Sequence, residues 1–252
     1  MSDDRNDVPA ATPSDPGAAS VPSGLVTAVV DLVNTGPVLL GAYTVAELTA
    51  VDAIVDFLEA RPSDEVLAEA VRSLAARQLL LAGSTGEQIR VQGDLGIAVA
   101  FQQRARKVLD ARTTRSEPGE PWRILLLPQP ERICLMVRID ALGIHQLGLH
   151  KLEEALKMLT EWLPEGSLAD PGAGFDAEDV LTASERSALI TVTDYTAQGS
   201  AEIAGASSDL ILARADGRLH ALTRDPQDRN RLVPDPATRK DGVRDRLVEL
   251  LG

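Results

Sequence analysis

Few residues in this chain are of a type that does chemistry, and their spacing decides what they could do. Three histidines stand at 145, 150 and 220. His145 and His150 are an odd number of residues apart, which in a strand puts their side chains on opposite faces. A shared metal would need a bend between them. The one cysteine, Cys134, lies in the run Ile133-Cys134-Leu135-Met136-Val137, the setting of a small core residue rather than of a nucleophilic thiolate. A single cysteine also rules out an intramolecular disulfide and a cysteine zinc cluster.

Gly83-Ser84-Thr85-Gly86 has the small residues of a phosphate cradle, but it precedes Ile89 and Val91, which alternate like a strand, so a turn is the simpler reading. Asp225-Pro226-Gln227-Asp228-Arg229 gathers two carboxylates near an arginine, an acid–base pair in principle and a solvated loop more simply. No serine sits in a strand-to-helix elbow, and there is no dinucleotide fingerprint, two-histidine helix or calcium loop. The expectation is therefore a non-enzymatic protein with no catalytic, cofactor-binding or metal-ligating residue. No motif marks partner-binding residues.

Arg104, Arg106, Lys107, Arg112 and Arg115 form the one concentration of positive charge. At the end of a helix they would complement the negative end of its dipole. Residues 24–115 nonetheless carry 9 basic against 11 acidic residues, a net of −2. The whole chain of 252 residues carries −13, which argues against broad binding to a nucleic-acid backbone. At 44% apolar and 25% charged residues it can build an ordinary globular core. The start is acidic (Asp3, Asp4, Asp7) where a secretory signal would be basic, and no apolar stretch reaches the roughly 20 residues of a membrane span. A cytoplasmic protein without a membrane segment is expected.

The elements that position these residues read as α+β. Residues 1–23, rich in Pro, Ser and Asp, are expected to be a disordered tail. In 24–163 a helical segment comes first. Leu25, Val29 and Val33 share one helix face, and Thr44-Val45-Ala46-Glu47 is a capping box opening a helix with Leu48, Val51, Val55 and Leu58 inward. A helix over 64–77, two short strands around the glycine turn, and a long helix with Leu95, Ala98, Phe101, Ala105, Val108 and Leu109 inward complete a winged-helix-like order. Strands at 122–127, 133–139 and 144–149 and a covering helix at 151–163 follow. After a Gly/Pro-rich stretch, 176–252 reads as a helix to Ser187 with a second capping box (Thr182, Glu185). Four strands follow, with a hairpin turn at Asp216-Gly217, then the polar loop 225–236 and a closing helix through Val243, Leu247 and Leu250. The expected fold is antiparallel sheets, each with a covering helix.

The order of elements carries a resemblance. An Ala46-Glu47-Leu48 helix comes first, then Ala75-Ala76-Arg77-Gln78-Leu79-Leu80-Leu81 with its glycine turn, then the strands Arg123–Leu127 and Ile133–Val137 and a helix ending Thr160-Glu161-Trp162-Leu163-Pro164. Asp216-Gly217-Arg218, Val233-Pro234 and Arg246–Leu251 close the chain. Over residues 44–251 this is similar to the actinobacterial EspG family, accessory proteins of type VII secretion, although the stretch 164–190 is shorter than the helices that family carries between its halves. The resemblance implies a cytosolic chaperone-like adaptor that holds helical secreted substrates of the PE and PPE kind, and no family motif maps onto a particular residue. The alternative from the residues alone is a winged-helix DNA-binding regulator with a C-terminal α+β sensing part.

Overall fold

Gly36 and Pro37 close the first helix, α1 (Ser23–Thr35), which buries Val29 and Val33, and the chain leaves as an edge strand, β1 (Val38–Thr44), that local patterning had not marked. This is the computed structural model of the chain, and it describes residues 21–53, 62–82, 89–114, 116–170, 176–198 and 201–252. Residues 1–20 of the expected tail lie outside them. Thr44 ends β1 and caps α2 (Val45–Ala50): its hydroxyl accepts from the Glu47 N–H at 3.2 Å and its own N–H donates to Glu47 Oε2 at 2.9 Å. The helix stops at Ala50, and Asp52 turns left-handed at φ 54°. Val55 and Leu58 lie outside the described residues.

α3 (Asp64–Ala76), capped by Ser63, leads into the short antiparallel pair β2 (Leu80–Ala82) and β3 (Ile89–Val91). The expected glycine turn between them lies outside the described residues. α4 (Gly93–Arg104) buries Leu95, Ala98 and Phe101. The long helix expected through Leu109 ends here, because Lys107–Thr113 is a strand, β4. Val108 and Leu109 fit a helical stripe and a doubly buried strand equally well, and a slot at the middle of a sheet settles the choice.

β5 (Arg123–Pro128), β6 (Ile133–Ile139) and β7 (Ile144–Lys151) match the expected strands, and α5 (Leu152–Trp162) the covering helix. After β8 (Ser167–Leu168), α6 (Ala177–Ala183) is capped by Asp176. Thr182 therefore lies inside this helix, so the second capping box does not form. The helix expected to Ser187 stops early because Arg186 already opens β9 (Arg186–Gln198). Two expected strands, at 200–203 and 210–213, are one, β10 (Ala201–Ala215). It turns into β11 (Arg218–Arg224) through Asp216 and Gly217 at φ 51° and 71°, the positive values a type I′ hairpin requires. The loop after it holds β12 (Leu232–Pro234) and α7 (Pro236–Asp241) before α8 (Val243–Leu251).

Apart from the β2–β3 pair, the strands form one sheet instead of separate ones, in the order β1-β7-β6-β5-β4-β9-β10-β11-β12, with β8 parallel to β11 and every other pairing antiparallel. The seam is β4 against β9, seven residues from each, Lys107 opposite Asp194 through Thr113 opposite Ala188. On either side of it the strands run outward in chain order, β4 to β7 and β9 to β12, and lead into helices, α5 on one side and α7–α8 on the other, while β1 adds outside β7. One face of the first half is covered by α1–α4, with Leu40, Leu74, Leu95 and Phe101 in its core. The opposite face, under α5 and α8, takes side chains from both sides of the seam: Leu109, Ile124 and Met136 with Ile190, Leu210 and Leu219. Double coverage explains why β5 and β6 read as unbroken apolar runs although their partners are antiparallel.

Candidate functional site

The structure separates the residues that could have done chemistry. His145 lies on the Leu147–Leu149 face and is 2% exposed. Its Nδ1 is 3.0 Å from the Gly143 carbonyl, and burial holds its pKa below the ordinary value. His150 points to the other face, where burial, opposed in part by Glu154, also lowers its pKa. Register puts His150 directly across from Cys134. That pairing depends on which strands meet, so the sequence had not revealed it. It is not a nucleophile with its base: burial pushes the Cys134 thiol up to about 12, far from a thiolate at neutral pH. Among the described residues no group of three or more His, Cys, Asp or Glu is placed to hold a metal ion.

The carboxylates of the 225–229 loop are turn formers. Asp225 Oδ1 accepts from the Gln227 N–H at 2.9 Å and Asp228 Oδ1 from the Asn230 N–H at 3.1 Å. The basic cluster is dispersed by the change from helix to strand. Arg104 pairs with Glu131, Lys107 lies 3.8 Å from Asp194, and Arg106 donates to the carbonyls of Gln103 and Ala105 at 3.3 and 3.4 Å. Arg115 lies outside the described residues. Arg112 and Arg123 both donate to Asp110, Arg123 through Nε and Nη2 at 2.8 Å each, in a charged group at the seam that is 4% exposed at Arg123. In the sequence Arg112 stood out only as part of the basic cluster, and nothing marked Asp110 and Arg123 as its partners.

The exposed side of α3, the helix that would enter a DNA groove, carries Asp64, Glu65 and Glu69. Its two arginines are engaged, Arg72 with Glu69 and Arg77 with the buried Glu47 at 3.0 Å.

What the fold does leave open is the β1 edge of the sheet. Among the described residues β1 pairs only with β7. Leu39 stands 78% exposed there because its cross-strand partner is Gly148, which has no side chain to cover it. On the other face at the same edge, α1 leaves Leu25 and Leu32 exposed, one heptad apart on one side of the helix, Leu32 by 53%. Gly41, at φ 109°, makes a bulge in β1 that bends the edge.

No protein-family model matches this sequence, and no curated protein matches it either. No helix among the described residues is long and apolar enough to cross a membrane.

Proposed function

We propose that this protein is a non-enzymatic, cytoplasmic adaptor of the EspG kind, a chaperone-like factor that holds a helical secreted partner before export. The observation that carries the reading is the apolar edge formed by Leu39 on β1 and by Leu25 and Leu32 on α1. Isolated exposed leucines are common on soluble proteins, but these three flank, on both of its faces, a strand whose outer edge is unpaired among the described residues. A helical partner would cover the leucines and shield the strand edge beneath them. Two halves of outward-running strands, each ending in helices, support the reading, as does the order α2, α3, β2–β3, α4 before the strands.

The test is a tagged pull-down from nuclease-treated lysate of the native host, read by mass spectrometry, with the wild type beside Leu39→Asp and Leu32→Glu. The reading expects a small helical secreted pair in stoichiometric amount from the wild type, lost in both variants. Recovery that is unchanged in the variants overturns the assigned surface. Failure to recover such a pair, with retention on DNA when nuclease is omitted, replaces the adaptor with the winged-helix regulator. That regulator draws no support from the acidic exposed side of α3.

A further inference from the structure

The hairpin joining β5 to β6 is built around Pro130: the Arg132 N–H donates to the Gln129 carbonyl at 3.2 Å, and the Gln129 N–H to Ile133 at 2.9 Å. The residue that closes such a turn adopts left-handed φ, which glycine accepts without strain. Here it is arginine, Arg132, at φ 61°. Two of the other three described non-glycine residues at positive φ are aspartates, which tolerate that conformation. A bulky cation held in a strained backbone position points to a use for its side chain.

That side chain borders an open cavity of about 590 Å³ between the β5–β6 turn, the start of α5 and α8. Strand pairing brings Lys151 to the same rim, since it lies opposite Ile133, and the Leu152 N–H donates to the Arg132 carbonyl at 2.8 Å. The two carboxylates on the rim are already answered, Glu131 by Arg104 and Glu153 by Arg244 at 3.4 Å. Among the described residues neither Arg132 nor Lys151 has an ion pair or a side-chain hydrogen bond. The first turn of α5 borders the cavity too, adding the positive end of its dipole. Ile133 and Leu156, both buried, with the half-buried Leu152 and the exposed Val248, make the wall apolar.

We propose that this cavity binds a small aliphatic carboxylate, its head between Arg132 and Lys151 and its tail against Leu152, Leu156 and Val248. The inference is independent of the adaptor reading and concerns a different part of the surface. In a protein of net charge −13, two uncommitted cations over an apolar wall select for a single negative charge carried on a hydrocarbon.

Isothermal titration of the full-length protein tests it with octanoate, octan-1-ol, octylammonium and acetate. Octanoate is expected to bind one per chain with a Kd of about 100 µM, the range open to a ligand of its size. The alcohol, the amine and acetate should each bind at least about tenfold more weakly. Arg132→Gly removes the cation at a position glycine prefers, so its melting temperature should not fall below that of the wild type while octanoate binding weakens about tenfold. Lys151→Gln is expected to weaken octanoate similarly and to leave octan-1-ol unchanged. Absence of saturable octanoate binding, equal binding of octan-1-ol, or wild-type affinity in both variants would overturn the proposal.

Discussion

Glu47 is a buried carboxylate that joins three elements of this fold. Its carboxylate accepts from the Thr44 N–H at 2.9 Å, the Ser73 hydroxyl at 2.8 Å and Arg77 at 3.0 Å, tying β1, α2 and α3 together. Arg77 in turn lies over the Tyr43 ring, 4.9 Å from its centre. Burial alone would raise the Glu47 pKa, but these hydrogen bonds and the Arg77 charge outweigh it and hold the group below its ordinary 4.5. A carboxylate whose pKa is depressed by folding stabilises fully above the unfolded value and loses that contribution as pH falls through the folded one. Urea midpoints should therefore fall more steeply below pH 4.5 in the wild type than in Glu47→Gln. At neutral pH, Glu47→Ala should cost about 2 kcal/mol. That is less than breaking a fully buried pair, because Arg77 is 42% exposed and stays hydrated. Cys134 gives a second expectation at this scale. With its thiol at about 12, native protein at pH 8 should resist iodoacetamide and become labelled only in denaturant, as read by intact mass.

At the scale of elements, β1 has a weak point that chemistry can probe. A Cβ on Gly41 would sit 3.0 Å from the Tyr43 hydroxyl, at a φ of 109° that side chains rarely adopt. Gly41→Ala should destabilise by about 2 kcal/mol in urea unfolding, and more if it breaks the 2.8 Å bond from the Tyr43 hydroxyl to the Leu40 carbonyl. Elements whose signal was local were legible in the sequence: the Thr44 capping box, the Asp216-Gly217 hairpin, the amphipathic α5 and the apolar β5 and β6. β1 and β4 were not. β1 is a short run behind Pro37 with only one partner strand, so no alternation of buried and exposed residues marks it. β4 continues the spacing of Phe101 and Ala105, and only its neighbours β5 and β9 make it a strand. The candidate edge at Leu39 was invisible for the same reason, since its exposure depends on Gly148 standing opposite.

For the molecule as a whole, the seam between β4 and β9 decides how it unfolds. One hydrophobic layer, under α5 and α8, draws on strands from both sides of it, so neither side retains a complete core alone. Amides of β5 and of β9 should exchange with solvent in a single cooperative step, at equal free energy, when followed by hydrogen exchange in mild denaturant. Two separate steps would mean that the halves fold independently. The sequence left that question open because strand pairing across more than 70 residues leaves no local mark. The seam also has a consequence for crowded solutions. Its two edges are complementary whether they come from one chain or from two, and the connection from α5 to β9 is long enough to be redrawn. Refolding at high concentration should then trap a fraction of chains as interlocked dimers that have traded C-terminal halves, each keeping every native contact of the monomer except the path of that connection.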